Sequence, residues 1–157
     1  MSNDVLEIEV RAVFPTSGGC AVFVGNDEKV FIIYVDTTVG AAITMFMNGT
    51  PKPRPQTHDL IADILLSLGA KVERVVINDF AEGVYFARLI LSAENELHQR
   101  KIVELDARPS DSMAMAIQQH APIYITRALW EVVEDMSGVL RKNEEEGPEN
   151  RTFGGPE

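Results

Sequence analysis

Six consecutive residues, Asp106-Ala107-Arg108-Pro109-Ser110-Asp111, concentrate two carboxylates and a guanidinium at what the pattern predicts is a strand-to-helix corner. Val103, Leu105 and Ala107 alternate with Glu104, Asp106 and Arg108, so an extended strand sends its last ionised side chains out of one face. Pro109 ends that strand. Ser110 is a favoured N-cap, and Asp111 adds a negative charge to the first turn of a helix in which Met113, Ala116, Ile117 and Ala121 recur at helical spacing. Carboxylates in such a place suit a hard cation, and a guanidinium suits phosphate. The same residues also have a structural use. Asp111 favours a helix start, and Arg108 bridging to Asp106 or Asp111 stiffens the turn.

A second candidate group follows Pro51-Lys52-Pro53-Arg54-Pro55, an extended linker carrying two cations. Thr57 caps the next helix, which places His58 and Asp59 in the first turn and sets Asp59 and Asp63 on one face. Two like charges four residues apart cost a helix about 0.2–0.5 kcal/mol, a cost that a cation reverses. A solvated face for the acids and a satisfied turn histidine are the structural counterparts of that reading.

The elements that must position these residues are legible from apolar periodicity. Strand patterns cover Val5–Phe14, Cys20–Val24, Val30–Val35, Lys71–Asn78, Val84–Ser92, the segment up to Ala107, and Pro122–Ile125. Asp36 offers an N-cap for a helix with a Val39, Ile43, Phe46 and Met47 stripe, stopped at Asn48-Gly49. The helix from Thr57 carries Leu60, Ile61, Ile64, Leu65 and Leu68 and stops at Gly69. Residues 79–83 form a hairpin loop, and Thr126 caps a helix with Leu129, Trp130 and Val133. The fold class these patterns predict is a single α+β domain, a mainly antiparallel sheet with three to four packed helices. Residues 1–136 form its body, and 137–157, rich in Glu, Gly, Pro and Asn, form an acidic, disordered tail.

A chain of 157 residues with 45% hydrophobic and 24% charged content can bury a core without staples. One cysteine, Cys20, excludes an intrachain disulfide and a thiolate zinc cluster. Asp4 sits where a signal peptide needs basic residues, and no apolar run reaches membrane-spanning length, so the expected compartment is the cytoplasm, with no membrane partner. The formal charge of −10 argues against coating nucleic acid by bulk electrostatics. From Glu131 onward, however, eight acids face three bases, so half of the excess lies on the last sixth of the chain and leaves room for a local basic patch on the body.

Pro53-Arg54-Pro55-Gln56-Thr57-His58-Asp59-Leu60 and Asp106-Ala107-Arg108-Pro109-Ser110-Asp111-Ser112-Met113-Ala114, in that order, resemble the bifunctional nuclease domain family, whose members cleave DNA and RNA. The similarity runs from about Val5 to Val133 and includes the strands Val72–Ile77 and Ala121–Ile125. The family's helix after the third strand carries a Glu before an Ala-rich run; here Asp36-Thr37-Thr38-Val39-Gly40-Ala41-Ala42 has none, which leaves Asp36 as the available acid. The resemblance implies a nuclease that hydrolyses phosphodiester bonds in DNA or RNA with limited sequence preference. His58, Asp59, Asp106, Arg108 and Asp111 are then the catalytic candidates, and Arg54 and Arg108 the phosphate clamp. Asp59, Asp106 and Asp111 would hold a divalent metal, Mg or Mn. Self-association into a homo-oligomer is also implied. The alternative is a non-enzymatic ligand-binding or assembly module in which the same corner is a structural or anion site.

Overall fold

Alternating β-branched runs build one seven-stranded sheet. The computed structural model describes residues 4–146. In chain order it contains β1 (Val5–Pro15), β2 (Cys20–Gly25), β3 (Val30–Val35), α1 (Thr37–Asn48), α2 (Thr57–Ser67), β4 (Ala70–Ala81), β5 (Val84–Glu94), β6 (Arg100–Ala107), α3 (Pro109–Gln119), β7 (Ile123–Thr126), α4 (Arg127–Val132) and α5 (Ser137–Glu146). The strand order is β3-β2-β1-β7-β4-β5-β6. Two meanders, β1 to β3 and β4 to β6, are joined by the short β7, which pairs antiparallel with β1 and parallel with β4, the one parallel pairing among the described strands. The fold is therefore a single α+β domain, as the alternation predicts.

The sheet curls, since its two outer strands end side by side: Asp36 follows β3, Arg108 follows β6, and their side chains are 3.6 Å apart. The concave face holds α3, with α1 and α2 packed on it. Ser112, Met113, Ala114, Met115 and Ala116 are all 0–2% exposed, so this helix is buried almost all round and not along one stripe. Val22, Val24, Phe31, Ile33, Val75, Ile77 and Ala87 face it from the sheet in one core. The alternate residues Ala21, Phe23, Val30 and Ile32, with Phe14, form a second core on the opposite face of the β1–β3 half, and Leu140 of α5 closes it.

That fifth helix corrects the expectation of disorder from 137 onward. Ser137–Glu146 is helical, with Leu140 and Asn143 buried, because Met136, Val139 and Leu140 find an apolar sheet face that composition alone does not announce. Residues 147–157 lie outside the described residues. Three further differences matter for the site. The helix α3 begins at Pro109 with Arg108 as its N-cap, in keeping with the preference of Pro for the first helical position, and α2 is preceded by Gln56 as its N-cap. The β4–β5 hairpin keeps its strands to Ala81 and Val84, leaving only Glu82 and Gly83 as the turn, at φ of 53° and 79°, as a two-residue turn demands. Finally, α2 turns Ala62 and Leu65 to the core but leaves Leu60, Ile61, Ile64 and Leu68 exposed, and Met47 of α1 is exposed as well.

Gly40 lets α1 approach β2: a Cβ there would overlap the Cys20 Sγ and lie 2.8 Å from its Cβ. Gly40→Ala gains about 1 kcal/mol of helix propensity but overpacks a closed site, typically at 1–3 kcal/mol. Net destabilisation is expected, with a lowered melting temperature in thermal unfolding. Combining it with Cys20→Gly should recover part of the loss; no recovery would show that the clash is elsewhere.

Candidate active site

The start of α3 gathers groups from three distant segments. Asp36 caps α1, its Oδ1 accepting the Val39 N–H at 2.9 Å, while its Oδ2 faces Arg108 Nη1 at 3.6 Å. Arg108 Nε donates to Asp111 Oδ2 at 2.9 Å, and Asp111 Oδ1 lies 3.0 Å from His58 Nε2. A carboxylate can only accept, so in this bond Nε2 carries the proton. His58 is 8% exposed, with its ring edge-on to Phe46. The Gln118 side-chain amide donates to the His58 carbonyl at 3.0 Å, fastening the first turn of α2 to α3 from a second point.

Asp59 turns the other way. Lys52 Nζ sits 2.9 Å from its Oδ2 and 4.1 Å from the Phe46 ring centre, and the Gln56 backbone N–H donates to Oδ2 at 2.9 Å. The cation expected to relieve Asp59 is thus the chain's own Lys52, drawn in from the Pro-rich linker.

Burial works against the Asp111 charge, but hydrogen bonds from Arg108 and His58, together with their charges, outweigh it and hold the carboxyl below the usual carboxylate range. Burial also opposes ionisation of Asp59, and Lys52, the Gln56 N–H and Gln118 prevail in the same way. The hydrogen bond and charge of Asp111, with a smaller contribution from Asp36, push the Arg108 guanidinium up.

Of the residues singled out by sequence, the fold joins His58, Arg108 and Asp111 and sets Asp59 beside them. It does not bring in Asp106. Register pairs Asp106 with Arg88, on the sheet face opposite to the Ala87, Leu89 and Leu91 face that meets α3. Arg108 escapes that alternation because it has left the strand and serves as the N-cap. Arg54 is exposed and makes no ion pair among the described residues. The set Asp59, Asp106 and Asp111 does not fit one divalent cation: Asp59 is taken by Lys52, Asp111 by Arg108 and His58, and Asp106 is across the sheet. Among the described residues no three His, Cys, Asp or Glu side chains are grouped to hold a metal ion. Asp36, which the sequence offered as a helix cap and as the available acid in place of the family's Glu but not among the site candidates, joins the site, as does Gln118, which carries no local signal.

Arg108, Asp36 and Ser110 also line one end of a cleft of about 600 Å³, whose other walls are β3 and the tip of the β4–β5 hairpin. No described helix is long and apolar enough to cross a membrane.

Because the Asp111 carboxyl is held down in the folded chain, its contribution to stability is complete above the unfolded value, about pH 4, and is lost as pH falls through the lower folded value. The melting-temperature difference between wild type and Asp111→Asn should therefore shrink as pH falls below 4. A difference that keeps growing as pH falls from 4 to 2 would contradict the ion-pair assignment.

A family model, the bifunctional nuclease domain, matches residues 22–137. An uncharacterized protein of Mycobacterium tuberculosis is 36% identical over 104 residues, which is 66% of this chain and 58% of that protein. Bifunctional nuclease 1 of Oryza sativa subsp. indica and Bifunctional nuclease of Oryza minuta are each 26% identical over 105 residues, 67% of this chain and 31% of theirs. The chain thus spans from 31% to 58% of the length of these relatives. With a family model covering both strand-to-helix corners and the helix that bears His58, this chain belongs to the bifunctional nuclease domain family.

Proposed function

We propose that the chain hydrolyses phosphodiester bonds of DNA or RNA at the Arg108 corner. The observation that carries this reading is the continuous chain Asp36–Arg108–Asp111–His58, of which Asp36 and Arg108 line a cleft. Each group has a role that its geometry supports. Two carboxylates orient the Arg108 fork through Nε and one Nη, and its remaining N–H groups serve the phosphoryl oxygens, where a guanidinium offsets the charge that develops during attack. Asp111 fixes the tautomer and ring plane of His58, the support a histidine needs to move a proton in a general acid–base step. Asp36, half exposed beside Arg108, is the carboxylate placed to align an attacking water. Neither Asp106 nor a shared cation enters this scheme.

A second reading, a binding or assembly module, is favoured by the internal pairing of Arg108 with Asp111 and of Lys52 with Asp59, which a purely structural corner would also show. The exposed Leu60, Ile61, Ile64 and Leu68 stripe on α2 supports self-association into a homo-oligomer, with or without catalysis.

Hydrolysis of bis(p-nitrophenyl) phosphate and of RNA, with and without chelator, separates the two. His58→Ala and Asp111→Asn should each lower the rate by at least about 10²-fold, and the double variant should be no worse than the poorer single, since both serve one step. Asp106→Asn should leave rate and melting temperature near wild type. Rates that survive His58→Ala, or that follow the folded fraction, would remove the enzymatic reading. Size-exclusion chromatography with light scattering should show a multimer that Leu60→Glu/Ile64→Glu converts to monomer; an unchanged elution volume would rule out α2 as the interface.

A further inference from the structure

The hairpin tip carries a feature the hydrolytic corner does not use. Phe80 is 47% exposed and Val84 54% exposed, and both line the cleft that Arg108 closes at its other end. Phe80 is not loose: its ring lies 4.5 Å from Tyr85, Tyr85 lies 5.7 Å from Phe31, and Phe31 lies 6.3 Å from Trp130. A ladder of ring contacts thus runs from the core to an exposed aromatic side chain. Gly83 in the same wall has open space where a side chain would stand.

The opposite wall is the outer edge of β3. Val30 turns its N–H and C=O outward, to Asp135 and Met136, so by the two-residue period Ile32 presents the same groups along the cleft. One wall therefore offers a ring face, the other polar backbone, and the rim a guanidinium.

We infer that this cleft is a nucleobase subsite, in which an unpaired base stacks on Phe80 while its phosphate lies at Arg108. This rests on the corner being a phosphodiester site, and it specifies the substrate as a strand with unpaired bases. The volume of about 600 Å³ suits one nucleotide and not a duplex, whose base faces are hidden in the stack. Charge points the same way. A chain with a formal charge of −10 gains little from bulk attraction to a polyanion, so affinity must come from local contacts, and stacking is the sequence-tolerant one.

The test is fluorescence anisotropy with a labelled, phosphorothioate-linked strand of eight thymidines, the same strand made wholly abasic, and the thymidine strand paired with its complement. The abasic strand keeps every phosphate and loses every ring. Wild type should bind the thymidine strand about 5- to 100-fold more tightly than the abasic or paired forms. Phe80→Ala should abolish that preference, Phe80→Trp should restore it, and Phe80→Leu, which keeps apolar bulk without a ring face, should not. Equal binding of thymidine and abasic strands by wild type, or a preference that survives Phe80→Ala, would overturn the subsite. Hydrolysis of bis(p-nitrophenyl) phosphate, which has no base, reports the corner separately. Turnover without a thymidine preference removes the subsite alone, and a preference without turnover keeps the subsite and removes the nuclease reading.

Discussion

Burial of α3 against the concave side of the sheet fixes everything that happens at its first turn. A fully buried Met or similar side chain contributes about 1.5–3 kcal/mol, whereas a surface ion pair contributes about 0.2–1 kcal/mol. With Met113, Ala114, Met115 and Ala116 all enclosed, packing and not Arg108 holds the two ends of the sheet together. The short alanine side chains let α1 and the sheet approach α3 from both sides. Arg108, whose side chain is 63% exposed, is carried into place beside Asp36 and Asp111 by that packing.

The corner divides its charges between structure and chemistry. Lys52 and Asp59 neutralise each other beside the Phe46 ring and brace the entry to α2. Asp111 instead faces two partners at once, a guanidinium in the cleft and a buried imidazole, so a change in either is felt by the other. Such coupling links His58, with little solvent access of its own, to the guanidinium that lines the cleft.

The acids at the end of the described chain lie on a helix packed against the second core. Glu144, Glu145 and Glu146 ride on α5, which covers the Ala21, Phe23, Val30 and Ile32 face, while the Arg108 corner is on the side of α1 and α3. Glu134, just ahead of that helix, is nearer: its charge acts on Tyr34, which lines the cleft.

Local pattern by itself determined most of the architecture: seven strands from alternation, the Asp36 and Thr126 caps, the Gly49 and Gly69 stops at positive φ, and the two segments that carry His58 and Arg108. These are legible because they depend on neighbours within a few residues. Which of the charged residues meet was decided by tertiary structure. Asp106 and Arg108 look equivalent in sequence, yet strand register sends one to the outer face and the cap geometry turns the other inward. Asp36 joined the site because a curled sheet brings its first and last strands together, a closure that no local pattern encodes. The Leu60 stripe left in solvent, α5 on its sheet face and Phe80 at the end of a longer hairpin have the same origin. An apolar periodicity states that a face is to be covered, and only the packed chain states by what.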